Sequence, residues 1–340
     1  MKALDFFCGA GGLTRGMLDA GIEVVAGIDI DRELTKTYQW NNYGTQFINA
    51  DIRELSMSTV AELLAATSTE ETLFAACAPC RAFSTQRKSG TRTEDATLLG
   101  AFGRVIDEVR PGWILIENVP GLAKVTGFST FRRFKNLLST LGYRSVETVM
   151  NAKDYGVPQH RRRFVLVASC VQPLESVRTA LNSRIGQEVT VREAIAHYPP
   201  IAAGEAHHTV SNHVAAALSP RNLNRIRSTP PDGGDRRGWP PALRLKCHRS
   251  AKSSYSDVYG RMWWNRYSPT LTGRCNSLSN GRFGHPEQHR AISLREAAAL
   301  QSFPDDYVFF GSNTHIARQI GNAVPVRLGE YVSRAILNKA

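Results

Sequence analysis

A cysteine on a predicted loop has the clearest potential for chemistry. Cys80 follows Pro79 and the apolar run 73–76. Because proline cannot donate to a sheet ladder, this run predicts a buried strand that ends just before Pro79. Cys80 is then expected at the carboxyl end of a strand, the edge where open parallel sheets bind ligands. The neighbouring Arg81 favours the thiolate, so Cys80 is a candidate nucleophile.

Two other interpretations of Cys80 compete with this one. A single cysteine is often a small buried apolar residue without reactivity. Cys77 and Cys80 also form a C-x-x-C pair, which in a cytosolic α/β protein is typical of redox chemistry. These residues alone leave the three interpretations open.

A glycine turn and two acids mark other strand ends. Residues 2–12 predict a strand and a glycine turn, followed by a helix over 13–20 whose first N–H groups are available to a ligand. Thr14 stands where a dinucleotide fingerprint has its third glycine, so the turn alone is a weak signal. Asp29 follows the turn by about 20 residues, the spacing that places a carboxylate on a ribose. Asp51 ends a third strand, although such an acid also serves as a helix cap.

A carboxylate and a run of arginines flank two further strands. Glu117 ends the apolar run 113–116, the next strand along the chain, and is expected to face Cys80 across the sheet edge. Arg161 and Arg163 precede the apolar strand 164–168. Alternate residues share a face of a strand, so these two arginines suit phosphate or carboxylate contacts.

Composition limits the class of protein. The chain has 340 residues, 42% of them hydrophobic and 21% charged, which suits two folded domains and excludes a disordered or fibrous protein. No apolar run approaches the roughly 20 residues of a membrane helix, and we see no signal-peptide pattern. The six cysteines form neither a disulfide framework nor zinc spacing. We therefore expect a reduced, cytoplasmic protein.

The positive charge is concentrated in one part of the chain. Between 191 and 290 there are 15 Lys or Arg and 6 Asp or Glu, which supplies nine of the net +12. From about residue 189 the chain is also rich in Pro-Pro and Gly-Gly pairs, which indicates a second domain. A basic module of this kind is typical of polyanion binding, although a solvated basic surface is the simpler reading. Three histidines at 207, 208 and 213 lack accompanying ligands, so no metal site is expected.

Together these residues resemble the DNA (cytosine-5) methyltransferases over nearly the whole chain. The matching segments, in the family's order, are DFFCGAGG at 5–12, Pro79-Cys80, ENV at 117–119, QHRRR at 159–163, Arg295-Glu296 through Phe303-Pro304, and GNAVP at 321–325. The redox interpretation explains none of the other motifs, so the resemblance favours Cys80 as the nucleophile.

The resemblance implies an α/β fold with a doubly wound, Rossmann-like S-adenosylmethionine-dependent methyltransferase domain and a smaller target-recognition domain. We expect a catalytic and cofactor-binding domain over 1–188 and a DNA-binding target-recognition domain over 189–290. A C-terminal segment, 291–340, would return to complete the first domain. The expected partner is double-stranded DNA, and the protein is expected to be a monomer at the nucleoid of a prokaryotic or phage-infected cell.

The resemblance also implies which residues bind S-adenosylmethionine. These are Phe7 and Ile30 on the adenine faces, Asp29 on the ribose, Asp51 and Ile52 on the adenine edge, Gly9, Ala10, Gly11, Gly12, Asn322, Ala323 and Val324 at the methionine end, with Pro79 and Leu98 also lining the site.

The implied chemistry begins with a base flipped out of the duplex. Cys80 would add to cytosine C6, and Glu117, with a pKa raised by burial, would give a proton to N3. Arg161 and Arg163 would hold the flipped nucleotide, and β-elimination would release Cys80. An RNA cytosine-5 methyltransferase and a catalytically silent DNA-binding protein are the rival functions.

Two residues depart from the family pattern. Arg81 stands where the family usually has Gln, and Asp95 replaces an Arg three residues before Leu98. Arg81 is expected to contact a DNA phosphate, to lower the pKa of Cys80, or to pair with a carboxylated S-adenosylmethionine, which would make 5-carboxymethylcytosine.

Overall fold

The chain divides into two units in the computed structural model, which describes residues 1–65, 67–78, 94–124, 129–186, 188–245, 247 and 257–339. The first unit comprises Met1–Tyr155, Arg162–Gly186 and Val324–Ala340, and the second comprises Gly156–Arg161 and Gln187–Ala323. We expected 291–340 to complete the first domain, whereas only its last part, from Val324, clusters with the first unit. The functional role of each unit remains a prediction.

A seven-stranded sheet forms the centre of the first unit. Its strands are β1 Lys2–Phe6, β2 Glu23–Asp29, β3 Gln46–Asn49, β4 Thr72–Ala76, β5 Trp113–Asn118, β6 Arg144–Asn151 and β7 Arg162–Ser169. They lie in the order β3-β2-β1-β4-β5-β7-β6, and β7 runs antiparallel to the other six strands. The order reverses between β1 and β4, which is the switch point where doubly wound sheets bind ligands. The predicted doubly wound α/β fold is confirmed.

The burial of each strand follows its place in the sheet. Strands β4 and β5 are buried at every position, as expected of central strands covered on both faces. Strand β6 lies at the edge and alternates between exposed and buried residues at several positions. The aromatic side chains of Phe6, Phe74 and Phe102 pack together, with ring centroids 5.1 and 5.2 Å apart, and lie within the main core.

Helices surround this sheet. In the first unit they are α1 Gly12–Asp19, α2 Thr35–Asn41, α3 Met57–Leu63, α4 Glu94–Val109, α5 Gly121–Lys124, α6 Ser129–Thr140, α7 Glu175–Asn182 and α12 Val326–Ile336. Helix α12 is the returning C-terminal segment and crosses α1 closely. A Cβ at Gly16 would lie 2.5 Å from the backbone nitrogen of Glu330, so the crossing requires glycine there. The end of the chain is thereby fixed beside the helix that follows the glycine turn.

The second unit has little regular structure, and buried arginines lie beside its apolar cluster. Its helices are α8 Val191–Ile195, α9 Pro220–Arg227, α10 Leu294–Leu300 and α11 Asn313–Asn322. Arg261 is fully buried and donates to the carbonyls of Thr229, His285, Gln288 and Ile226 at 2.6–2.9 Å. These bonds connect separate backbone segments of the second unit through one side chain. Among the described residues of the whole chain, no helix is both long and apolar enough to span a bilayer.

Candidate active site

The glycine turn between β1 and α1 has an unusual backbone. Phe7, Gly9 and Gly11 have φ values of 59°, 56° and 86°, all in the left-handed region. Glycine adopts this region at little cost, whereas Phe7 does not, and strain of this kind clusters at ligand sites. A Cβ at Gly9 would meet nothing within 4 Å, so open space adjoins the turn. Helix α1 begins at Gly12, with its first N–H groups at the turn.

Asp29, at the end of β2, is fixed beside this turn. Its carboxylate accepts hydrogen bonds from the backbone N–H of Gly9 and of Asp31, both at 2.9 Å. Burial raises the pKa of Asp29, and these two bonds oppose the rise. The next residue, Ile30, is 65% exposed although it is a large apolar side chain. A carboxylate with an apolar neighbour, beside a glycine turn that faces open space, fits the ribose and adenine of S-adenosylmethionine.

Thr14, at the position of the third fingerprint glycine, makes side-chain hydrogen bonds that glycine could not make. Its hydroxyl donates to the Asp5 carboxylate at 2.7 Å and lies 2.8 Å from the Tyr38 hydroxyl, and all three residues are buried. These hydrogen bonds connect β1, α1 and α2 next to the glycine turn. Sequence reasoning missed Asp5 and Tyr38 as parts of the site. The signal was a buried acid in the middle of an apolar strand, which requires a partner.

Asp51 and Ile52, the two residues predicted for the adenine edge, have different environments. The Asp51 carboxylate is paired with Arg53, whose Nε lies 2.9 Å from Oδ1, and this partner lowers the pKa of Asp51. The Ile52 side chain is buried in the core. Leu98 lies on α4 and is partly buried against the same core.

The ends of β4 and β5 lie at the edge of the sheet where the sequence predicts the catalytic residues. The strands are parallel and pair Ala76 with Ile116, so Glu117 lies one step beyond the last pair. Beyond it, the Asn118 amide donates to the Ala78 carbonyl at 3.2 Å and holds the two strand ends together. The neighbouring strand β7 brings Arg163, whose Nε lies 2.8 Å from Glu117 Oε1. Both side chains of this ion pair are only 11–12% exposed.

Arg161 belongs to the second unit and has a different environment. It is 2% exposed and donates to the carbonyls of Leu271, Gly321 and Ala323 at 3.0–3.1 Å. Asn322 is the last residue of α11 and is exposed, while Val324 is buried in the first unit. Arg161 therefore fixes the backbone on either side of Asn322.

The predicted nucleophile lies outside the described residues. This holds for Cys80 and also for Pro79 and Arg81, while the side chain of Asp95 is not described either. The described strand β4 ends at Ala76, as the sequence predicted for the strand that leads to this loop.

Comparison with known proteins decides the family. Residues 1–338 match the family model for C-5 cytosine-specific DNA methylases. The chain belongs to this family. The predicted enzyme class, a DNA (cytosine-5) methyltransferase that uses S-adenosylmethionine, is thereby confirmed. Among curated relatives, Type II methylase M.HgiDII of Herpetosiphon aurantiacus is 39% identical, with 98% of this chain and 94% of the relative covered. Type II methyltransferase M1.HphI of Haemophilus parahaemolyticus is 31% identical, with 98% and 86% covered.

Solved structures of this methyltransferase fold are also similar. A putative DNA modification methyltransferase encoded within an Escherichia coli prophage has a TM-score of 0.77 at 21% identity, with 99% of each chain covered. The S. pombe Dnmt2 methyltransferase has a TM-score of 0.66 at 17% identity, with 99% of this chain and 98% of that chain covered. At these identities the likeness concerns the fold alone, and it agrees with the Rossmann-like sheet described above.

Proposed function

We propose that this methyltransferase modifies a flipped cytosine of duplex DNA through a covalent adduct on Cys80. The observation that carries the proposal is the Glu117–Arg163 pair at the end of β5, next to the strand that leads into the Cys80 loop. An acid, a cation and a thiol on adjacent strand ends supply what addition to a pyrimidine requires.

In the proposed reaction, the Cys80 thiolate adds to C6 while Glu117 gives a proton to N3. This turns C5 into an enamine carbon that is nucleophilic. S-adenosylmethionine, when bound, supplies the methyl group from its sulfonium. A water molecule then takes the C5 proton, the Cys80 thiolate leaves C6, and the N3 proton returns to Glu117, which restores the aromatic ring and the starting enzyme. Arg163 keeps the Glu117 carboxyl in place and reaches toward the flipped nucleotide.

Arg161 is proposed to act through the backbone that it fixes. Its N–H groups donate to the carbonyls of Gly321 and Ala323, which supports a role in placing the 322–324 segment for the cofactor. For the rest of the cofactor we keep the sequence assignment: the glycine turn at the methionine end, Asp29 on the ribose and Ile30 on the adenine. For Asp51 and Ile52 we propose a contact through the main chain, because Asp51 is paired with Arg53 and the Ile52 side chain is buried.

Unmodified S-adenosylmethionine is the proposed donor, because the chain matches the family model of the C-5 cytosine-specific DNA methylases. Mass spectrometry of nucleosides from DNA treated with each donor, with wild type and Arg81→Gln, tests this choice. Formation of 5-carboxymethylcytosine by wild type alone would favour the carboxylated donor.

DNA is the proposed substrate because the chain matches the family model of the C-5 cytosine-specific DNA methylases, and duplex DNA is the form we propose. The curated relatives are Type II methyltransferases by name, and we propose the same restriction-modification setting for this chain. Equal methyl incorporation into transfer RNA would overturn the substrate assignment, and sequencing of methylated DNA from expressing cells would give the recognised site.

A duplex with 5-fluorocytosine at the target tests the covalent step. We expect wild type to form an adduct that survives denaturing electrophoresis when the cofactor is present, because fluorine blocks elimination. Cys80→Ser should form none while binding DNA within a few-fold of wild type, since phosphate contacts supply most of the affinity. Cys170→Ser, at an exposed cysteine, is the matched control. Methyl transfer by Cys80→Ser near the wild-type rate would exclude Cys80 as the nucleophile.

A further inference from the structure

Arg104 connects α4 to the turn 51–55, which follows β3 and is called the β3 turn below. Its Nη2 donates to the backbone carbonyls of Ile52 and Leu55 at 3.2 and 3.3 Å. Its Nη1 lies 3.5 Å from the carboxylate of Glu108, one turn further along α4, and the Arg104 side chain is 38% exposed. All of these residues belong to the first unit. One partly exposed guanidinium therefore bridges two carbonyls of the β3 turn.

The β3 turn also has internal bonds and an apolar anchor. The backbone N–H groups of Arg53 and Glu54 donate to the carboxylate and to the carbonyl of Asp51, both at 2.9 Å. The side chains of Ile52 and Leu55 are buried in the main core. The internal bonds set the shape of the turn, while apolar burial is not directional. The two bonds from α4 therefore supply the directional link that orients the turn on the core.

We propose that Arg104 is a positioning residue for the adenine edge of S-adenosylmethionine. The inference rests on the proposed function of the β3 turn, whose main chain at Asp51 and Ile52 is assigned to that edge. Because each peptide unit is planar, fixing the carbonyls of Ile52 and Leu55 limits rotation of the main chain between them. The groups that face the base then need little ordering when the cofactor binds, which lowers the entropic cost of binding.

Calorimetry with two ligands that differ only at the base edge tests the proposal. S-adenosylhomocysteine carries the adenine edge, whereas S-inosylhomocysteine has a carbonyl in place of the amine and an N–H in place of the N1 acceptor. We expect wild type to prefer the adenine form, because the inosine form leaves the polar groups of the site unpaired. Arg104→Ala should weaken binding of the adenine form about three- to tenfold, the scale of one hydrogen bond, and leave the inosine form unchanged.

Two control variants separate the carbonyl bonds from charge and from helix stability. Arg110→Ala removes an arginine just after α4 that donates to the Asp107 carbonyl at 2.7 Å and pairs with the Asp107 carboxylate. Glu108→Gln removes the charged partner of Arg104 and leaves its bonds to the β3 turn in place. Both variants should keep the wild-type preference for the adenine form. If Arg104→Ala does not fold, Arg104→Met keeps an apolar stem without the donors, and the same loss of preference is expected.

The outcomes distinguish this inference from the proposed function. Equal binding of the two ligands by wild type would overturn the assignment of the β3 turn to the adenine edge. A wild type that prefers the adenine form, with an Arg104→Ala variant that keeps the full preference, would overturn the positioning role alone. The same would follow if the variant lost affinity for both ligands by the same factor, because Arg104 would then act on the whole fold and not on the base edge.

Discussion

Asp5 is a buried acid whose pKa lies far above its usual value. It is fully buried in β1, and one oxygen accepts from Thr14 while Oδ1 has no hydrogen-bond partner in the described part of the chain. Burial raises the pKa of Asp5 to about 7, and the nearby Asp29 adds to the rise. The folded protein therefore keeps a proton that the unfolded chain releases near pH 4. This group's contribution to stability is present at low pH and is lost as the pH rises from about 4 to about 7.

Asp5→Asn should remove this part of the pH dependence. We expect the unfolding free energy of wild type, measured by urea denaturation, to fall relative to the variant between pH 5 and pH 8. The difference should reach at most about 4 kcal/mol over the whole titration range, since one pKa unit corresponds to about 1.4 kcal/mol. Asp19 and Asp29 also have raised pKa values, but both residues are present in the variant. Their contributions to the pH dependence therefore cancel when the two proteins are compared. Parallel curves for the two proteins would show that Asp5 is ionised throughout.

Glu117→Gln separates proton transfer from structure. The amide keeps the size of the side chain but has no acidic proton to give to N3, so we expect turnover to fall by about 10²–10⁴. Calorimetry should show cofactor affinity within a few-fold of wild type. Glu147→Gln serves as the control, because Glu147 lies on β6 and its partly exposed carboxylate is paired with Lys135. Equal losses in turnover and cofactor affinity would indicate that Glu117 is structural.

At the scale of elements, the contact between α1 and α12 links the cofactor turn to the C-terminus. Gly16 lies at this contact, and a Cβ there would meet the backbone of α12 at three atoms within 2.8 Å. Backbone cannot move aside as a flexible side chain does. We therefore expect one added methyl group at this crossing to shift the glycine turn that precedes α1.

Gly16→Ala should therefore destabilise the protein by about 1–3 kcal/mol in chemical denaturation, the usual cost of overpacking. Gly100→Ala is the matched control, because a Cβ at this exposed position of α4 meets nothing within 4 Å. The control should be neutral or more stable by about 0.5–1 kcal/mol, since alanine favours helix. Equal effects at the two positions would mean that α12 packs less closely than described.

The sequence predicted the elements of the first unit better than those of the second. The central strands of the sheet are marked by apolar runs, and the runs at 73–76 and 113–116 correspond to β4 and β5. The Thr14 contacts and the Arg163–Glu117 pair were not predictable, because they depend on which strands become neighbours. In the second unit, backbone carbonyls pair with buried arginines such as Arg261 and not with a regular ladder, and no periodic pattern signals such bonds.

At the scale of the whole molecule, the net positive charge between 191 and 290 is larger than the positive charge exposed at the surface of this segment. Among the described basic residues between 191 and 290, four arginines are buried, at 225, 261, 282 and 290. Arg290, for example, is fully buried and donates to both carboxylate oxygens of Glu296 at 2.6–2.7 Å. These charges stabilise the fold and are not accessible to phosphate. Only the exposed arginines enter the electrostatic argument for DNA binding.

DNA affinity should accordingly depend on salt through the exposed arginines. Arg227, Arg266 and Arg274 are exposed in the second unit. For each one that contacts a phosphate, substitution by Gln should reduce the slope of log K against log salt by about 0.9, because one fewer counterion is released on binding. Arg178→Gln, the same change at an exposed position of α7 in the first unit, is the control and should leave the slope unchanged. Fluorescence anisotropy with a labelled duplex from 50 to 300 mM salt measures the slopes. A triple variant at 227, 266 and 274 with the wild-type slope would remove these arginines from the interface.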